Sequence, residues 1–483
     1  MDNALLDQYS YHVFKFMDKA ILYDLNTDTI CKVDDALTYD ILEGAGQFNI
    51  VDLREKLKPT HGIIDDQKIF TIINPLKNCG FFISPPPDWT RIDAAKEKAM
   101  GFVPSKIQLS IAQCCNLACV YCYAEECGSN ARNQLMSFET AKQAVDYLVH
   151  VSGEERKLTI QFFGGEPLLN FVLIKKVVDY AKALTSSTKK IFSFALTTNC
   201  TLLTDEIQDY LLKHDFGIIV SVDGDEKTHN QQRPFRDGSG SYRLVINNAL
   251  SLNRKFIESN HRNIKIRANI INGNVKRLAE ITEKFTAMGF QRINVSPIVS
   301  RPGENASLAF DENAWTEWRQ QSDAQMQHWL ACIKSDKKID NPYITHTINK
   351  KFNLLKSRRL FGGLRCGAGH NVNTVDVDGN IFPCHRYPGL NSYIIGNVHT
   401  GIDREKLSRY YDGIMNEMLK NCSTCWMRVK CGGPCPWQVS SKEGKICPSD
   451  KLSCQDRKYA FMQAAYLYVS LSQDRPDALA HIL

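Results

Sequence analysis

Hydrophobic and polar positions change their rhythm three times along the chain. Tyr11–Phe16, Ile21–Leu25 and Thr29–Val33 are short runs rich in aromatic and β-branched residues, which read as three strands. Asp34 and Asp35 then offer helix N-cap chemistry before an apolar-periodic stretch to about Leu42. Two more helical patterns follow, near Ile50–Lys56 and Asp65–Asn74, the second predicted to stop at Pro75. The run Pro85-Pro86-Pro87 can join neither a helix nor a central strand, so it marks the edge of a small first domain, residues 1–92.

From Lys106 to Ile298 the rhythm alternates between strand and helix. Apolar runs at Ile107–Ile111, Leu158–Phe163, Phe192–Thr197, Ile218–Val222, Ile264–Ile271 and Ile293–Ile298 are separated mostly by helical patterns. Such βα units in sequence predict an α/β fold with a parallel sheet, a partial (β/α)6 TIM-like barrel over residues 100–308. Residues 309–361 read as a helical linker. In residues 362–483 the pattern breaks into short elements rich in Gly, Pro and Cys, as expected of a domain organised by metal, before a closing helix from about Asp456 to Leu471.

Composition narrows the function classes. A formal charge of +6 over 483 residues is too small to imply a nucleic-acid surface. No apolar run is long enough to cross a bilayer, and the first residues, MDNALLDQYSYHVFKFMDKA, lack a basic start and an apolar stretch. A cytoplasmic protein without membrane or nucleic-acid partners is expected. The 17 cysteines then become informative, because a reducing compartment disfavours disulfides and points to metal. They are clumped: five lie between Cys114 and Cys127, and eight between Cys366 and Cys454.

The strongest local signal is Cys115-Asn-Leu-Ala-Cys119-Val-Tyr-Cys122, just after the first barrel strand. Three thiolates so spaced can wrap one corner of a 4Fe–4S cluster and leave the fourth iron without a protein ligand. A fragment of a zinc site is the alternative. The C-x3-C-x2-C spacing, with Tyr121 before the last cysteine, resembles the radical S-adenosylmethionine (SAM) superfamily. Gly164-Gly165-Glu166-Pro167 at the end of the second strand matches that family's GGEP segment, which the resemblance assigns to the SAM amino group. Asn199 after strand three, and Ser221 and Asp223 after strand four, with His229, Asn230 and Arg233 beyond, are similar to the remaining family stretches. Ser221 and Arg233 are the candidate ribose and carboxylate contacts, and Arg267 on strand five is a further one. Each of these polar residues, taken alone, is equally a turn former or a core hydrogen-bonding group; their shared position at strand C-termini favours the site reading.

The C-terminal cysteines form a second pattern. Cys366 is followed by Gly379 and Cys384, then by Cys422-x2-Cys425-x5-Cys431-x3-Cys435, and finally by Cys454. This resembles the seven-cysteine SPASM domain of peptide and sulfatase maturases; a zinc ribbon over Cys422–Cys435 is the alternative. The resemblance implies two auxiliary iron–sulfur clusters of the 4Fe–4S type, one on Cys366, Cys384 and Cys435, the other on Cys422, Cys425, Cys431 and Cys454. The first set has three ligands, since Leu360–Arg365 holds no further cysteine. Either a nearby residue such as Cys447 completes it, or its fourth iron is open to substrate. Cys31, Cys79, Cys114, Cys127, Cys200 and Cys332 are expected to be structural thiols.

The first domain is similar to the precursor-peptide recognition domain of maturases of ribosomally made peptides, which adds an extended leader to a sheet edge; a winged-helix fold in another role is the alternative. Beside Cys384 stands His385, where sulfatase-maturating relatives place an acidic base. The phrase Cys384-His385-Arg386-Tyr387-Pro388-Gly389, with Cys425-Trp426-Met427-Arg428, looks like thioether-forming maturases. His385 is either a base or, as a blander reading, a hydrogen-bonding group within the cluster fold. The resemblance therefore implies a radical SAM oxidoreductase that abstracts hydrogen from a peptide carbon and joins it to a cysteine sulfur. Its expected partners are a precursor peptide or protein and an electron donor such as flavodoxin or ferredoxin. Carbon–carbon crosslinking, formylglycine formation and a non-enzymatic zinc-binding adaptor are the other outcomes considered.

Overall fold

The computed structural model describes residues 4–83, 96–126, 133–261, 264–301, 304–305, 307–356, 366–448 and 450–482. The Pro85-Pro86-Pro87 boundary, Cys127 and the stretch Leu360–Arg365 lie outside the described residues.

Strands β1 (Tyr11–Phe16), β2 (Lys19–Asp24) and β3 (Thr29–Val33) form an antiparallel sheet in that order. Its alternation buries both faces. Tyr11, Leu22 and Val33 pack on helices Ala36–Ala45, Ile50–His61 and Asp66–Asn78, whereas Phe14, Phe16, Ile21 and Tyr23 pack on the C-terminal part of the chain. The three strands and three helices give the winged-helix-like unit expected at this end. Pro75 does not stop the third helix, which runs on to Asn78. Proline lacks the N–H that would reach the Thr71 carbonyl and its ring crowds that turn, but the fully buried Ile69 and Ile73 anchor the helix by packing, and Cys79 N–H closes its end onto the Pro75 and Leu76 carbonyls.

The central sheet carries β4 (Lys106–Ala112), β5 (Lys157–Gly164), β6 (Ile191–Thr198), β7 (Gly217–Ser221), β8 (Lys265–Ile270) and β9 (Ile293–Pro297), each parallel to the next. Their outward residues meet the intervening helices: on β8, Ile266, Ala268 and Ile270 are fully buried, while Lys265, Arg267 and Asn269 line the partly open inner face. Inside the sheet, a chain of side-chain hydrogen bonds crosses four neighbouring strands. Thr374 donates to Gln108 (3.1 Å), Gln108 to Gln161 (3.0 Å) and Gln161 to Thr197 (3.3 Å). This is the expected partial parallel barrel.

The cysteine-rich end is more continuous than its composition predicts. Strand β10 (Val372–Val375) pairs in parallel with β4, and β11 (Asn380–Phe382), β12 (Gly396–Asn397) and β13 (Gly401–Ile402) extend the same sheet by antiparallel pairing. A helix of 19 residues, Arg404–Cys422, capped by Asp403 onto the Glu405 and Lys406 N–H groups, stands where only short elements were expected. The closing helix begins at Lys451, earlier than expected, because Asp450 caps Leu452 and Ser453. Among the described residues no helix is long and apolar enough to cross a membrane.

Candidate functional site

The loop holding Cys115, Cys119 and Cys122 leaves the C-terminal end of β4. It is fixed by the segment after helix Glu226–Gln232: Ala118 N–H donates to the Pro234 carbonyl (2.9 Å) and Val120 N–H to that of Gln232 (3.0 Å). Arg236 donates to the Cys115 carbonyl (2.6 Å). The three thiols are partly buried. Burial pushes Cys115 up to about 12, helped by the charge of Glu166 and by the neighbouring Cys119 and Cys122. Burial likewise pushes Cys119 up to about 12, against the pull of Arg233. Thiols so desolvated and crowded ionise readily only when a cation neutralises them.

Gly164 ends β5 where the chain crosses β4. Its φ of +133° suits glycine, and a Cβ there would lie 2.4 Å from the Ala112 carbonyl oxygen. Gly165 N–H donates to that same oxygen (2.8 Å). Glu166 turns inward and is fully buried: it accepts from Leu168 N–H (3.0 Å), the Thr198 hydroxyl (2.8 Å) and Asn199 N–H (2.7 Å). Its carboxylate therefore ties the β5 loop to the end of β6, with Pro167 opening the short turn of 3-10 helix behind it. Burial raises the Glu166 carboxyl to about 7. Asn199 reaches the cysteine loop directly, donating to Asn116 (2.9 Å) and approaching Cys115 Sγ at 3.7 Å.

A buried polar web stands on the opposite side. Asp223 accepts from Arg233 Nε (2.8 Å), Gln232 (2.8 Å), Asn269 N–H (2.8 Å) and the Tyr121 hydroxyl. Arg233 also lies 5.4 Å over the Tyr121 ring and 3.9 Å from Cys119 Sγ. His229 fixes the web from behind: its Nδ1 accepts from Asp223 N–H (3.2 Å), so Nε2 carries the proton and faces Ser241 Oγ (3.0 Å). Burial lowers His229 to about 4. Ser221, half-buried, ends β7 at the rim of the same opening. Asn230 instead caps a neighbouring helix by accepting from Tyr242 N–H (2.9 Å).

The C-terminal cysteines gather in two sets. The Cys384 thiol is driven up to about 12, first by burial and further by the nearby Cys435 and Cys366. Cys422 is driven up to about 12 by burial, with Cys425, Cys431 and Cys454 adding to it. The second set borders a cavity of about 260 Å³. Among the described residues no three His, Cys, Asp or Glu groups close to the span of a single metal ion. Cys447 lies beside Tyr393, whose ring packs at 4.5 Å on Tyr387.

Several contacts escaped the sequence reading. Arg457 donates to Cys431 Sγ (3.3 Å) and to the Gly433 carbonyl (2.7 Å); its place one helical turn after Cys454 was the available signal. Trp426 stacks on His12 of β1 at 4.1 Å, and Lys430 pairs with Asp28 (2.7 Å), so the first sheet rests against the second cysteine set. His385 lies over the barrel mouth, 4.7 Å from the Phe163 ring and with Nδ1 3.6 Å from Cys384 Sγ. Burial lowers it to about 3.

A family model described as a 4Fe-4S single cluster domain matches residues 107–246. The chain is 32% identical over 200 residues to an uncharacterized protein of Methanocaldococcus jannaschii; the match covers 41% of this chain and 65% of that protein, just under two thirds of its length. It is 24% identical over 477 residues to the radical SAM cyclopropyl synthase TigE of Paramaledivibacter caminithermalis, covering 93% of each chain. The solved structure of native anSMEcpe with bound AdoMet and Cp18Cys peptide shares the fold, with a TM-score of 0.56 and 19% identity over 75% of this chain and 97% of that one.

Proposed function

We propose that this chain is a radical SAM enzyme of the kind that carries a SPASM extension, and that it modifies a ribosomally made peptide by joining a cysteine sulfur to a carbon of another residue. One observation supports the reading: the cysteines gather in three sets, the first of them at the C-terminal mouth of a parallel barrel. Bound there, a 4Fe–4S cluster with SAM supplies one-electron chemistry that acid–base groups cannot.

The protein's own residues have distinct tasks in this reading. Cys115, Cys119 and Cys122 hold the catalytic cluster. Gly164 and Gly165 keep the β5 edge free of side chains so that backbone can approach SAM, and Glu166 and Asn199 brace that edge against the cysteine loop. Ser221 offers a hydroxyl to the cofactor. Arg233, paired with Asp223 and lying over the Tyr121 ring, holds its guanidinium beside Cys119. Cys366, Cys384 and Cys435 hold one auxiliary cluster, and Cys422, Cys425, Cys431 and Cys454 the other. The first domain receives the leader of the substrate, and a flavodoxin- or ferredoxin-type protein supplies electrons.

The alignment with a cyclopropyl synthase over 93% of both chains favours carbon–carbon bond formation as the second reading. Mass spectrometry of a small cysteine-rich peptide encoded beside the gene, after anaerobic coexpression, separates the two. A thioether removes two hydrogen atoms and leaves the cysteine unable to react with iodoacetamide. A carbon–carbon bond removes two hydrogen atoms but leaves the thiol reactive. An unchanged peptide from active enzyme would count against both.

A further inference from the structure

A cavity of about 780 Å³ lies on the outer side of the barrel, at the end of β4 opposite the cysteine loop. It opens between helix Phe138–Val151, the segment from Ala99 to Pro104 that leads into β4, and the β12–β13 hairpin. Asn373 of β10 lines it, in register with Ile107 of β4. Side chains alternate along a strand. Thr374 points into the barrel, where it donates to Gln108, so Asn373 points outward, toward the cavity. Asn373 is only 2% exposed, and among the described residues neither its amide nitrogen nor its amide oxygen has a hydrogen-bond partner.

A buried amide with both groups unpaired is costly, and a fold that needed only bulk at this point would gain from leucine instead. The cavity walls indicate what the amide would meet. Phe102 and Val103 are 42% and 47% exposed there, so an apolar face stands open. The Phe102 ring is steadied by His370, which it meets edge to face at 5.4 Å. Opposite, the Tyr147 ring comes within 4.0 Å of where a Cβ on Gly401 would stand, which brings helix and hairpin together. Arg404, the first residue of helix Arg404–Cys422, sets a guanidinium at the rim. Asp146, the carboxylate in the lining, is engaged by Lys142 (2.8 Å) and by the Tyr180 hydroxyl.

We propose that this cavity binds an adenine mononucleotide, with the edge of the base on Asn373, its ring beside Phe102 and its phosphate at Arg404. An asparagine amide matches adenine: its NH2 group donates to a ring nitrogen while its oxygen accepts from the exocyclic amine. An exposed aromatic ring offers the base a stacking surface, and a guanidinium suits phosphate. An apolar partner would cover Phe102 and leave the amide unpaired, whereas a bare anion would use Arg404 alone. Because the cavity is remote from the cysteine loop, the site stands whether or not the barrel mouth performs radical chemistry.

Anaerobically reconstituted holoenzyme with one equivalent of SAM is titrated calorimetrically with three probes. These are adenosine 5′-monophosphate (AMP), purine riboside 5′-monophosphate, which lacks the exocyclic amine, and ribose 5-phosphate. The native protein should bind AMP at least about tenfold more tightly than either comparator, as expected when a ligand satisfies a buried polar group. Asn373→Leu should lose the preference over purine riboside 5′-monophosphate, and Arg404→Gln should weaken AMP and ribose 5-phosphate alike, by about fivefold. Asn373→Leu should also keep or raise the urea midpoint of the ligand-free protein, since it removes an unpaired buried amide. A lowered midpoint would show that the fold already uses that amide, and would overturn the proposal. So would equal binding of AMP and purine riboside 5′-monophosphate by the native protein, a comparison that needs no variant to fold. The proposal also falls if Asn373→Leu keeps the preference, or if it weakens SAM binding together with AMP, which would place the nucleotide at the barrel mouth instead.

Discussion

Arg233 and Asp223 form a buried ion pair, Nε to Oδ2 2.8 Å, at the point where the cysteine loop meets the barrel. Burial opposes both charges, yet the pairing still holds the Asp223 carboxyl below its ordinary range and Arg233 above its own. Asp223→Asn removes the counter-charge and leaves the guanidinium stranded beside Cys119. It should destabilise the apo-protein by about 3–5 kcal/mol, whereas Asp223→Asn combined with Arg233→Met should cost clearly less than the sum of the single changes. Urea unfolding of the four proteins checks this, and additive losses would mean that the two groups do not act as a pair.

Glu166 accepts three hydrogen bonds and donates to nothing among them. Glu166→Gln keeps the shape but turns an NH2 group toward at least one backbone or hydroxyl donor. The expected loss is about 1–3 kcal/mol in chemical unfolding, from the unsatisfied buried donors. A neutral substitution would show that the loop between β5 and β6 is held by other contacts.

The contrast between these two groups shows what could be read from the chain alone. The gathering of Cys115, Cys119 and Cys122 was legible because all three lie on one short loop, so their spacing is written locally. Gly164 was legible for the same reason, being demanded by a single crossing with Ala112. The inward turn of Glu166 was not, since it depends on N–H groups of Leu168 and Asn199 on separate loops. Nor was the pairing of Val372 with Lys106, which joins segments far apart in sequence and converts a separate-looking cysteine-rich end into a continuation of the barrel sheet. Pro75 misled because the packing of the fully buried Ile69 and Ile73, which outweighs the lost donor, is a tertiary effect. The strand character of β1 was visible in its run of aromatic and β-branched residues, whereas the burial of both its faces, Tyr11 on one and Phe14 and Phe16 on the other, depends on packing against the far end of the chain.

His229 introduces a pH dependence. Its pKa is lowered from 6.5 to about 4, chiefly by burial, so the unfolded chain binds this proton more readily than the folded one. The stability it supports is therefore complete above about pH 6.5 and is lost as pH falls toward 4. Protonation would also turn Nδ1 into a donor facing Asp223 N–H. His229→Gln should shrink the pH 7 to pH 5 difference in unfolding free energy by about 1–2 kcal/mol relative to the native protein. An unchanged difference would place the acid sensitivity elsewhere.

Replacing Cys422, Cys425, Cys431 and Cys454 by alanine should lower the iron bound after anaerobic reconstitution by about one third, the share of one cluster in three of equal size. Metal analysis with sulfide determination checks it. Full retention of iron would show that these four thiols hold no cluster, and zinc in place of iron would restore the ribbon alternative.

The most direct measurement is the release of 5′-deoxyadenosine from SAM by the reconstituted, dithionite-reduced protein under strict anoxia, beside the variant in which Cys115, Cys119 and Cys122 are all alanine. The native protein should form 5′-deoxyadenosine and methionine in equal amounts, and the variant should form neither while keeping its auxiliary iron. A native protein that leaves SAM intact, or a variant that still cleaves it, would contradict the account.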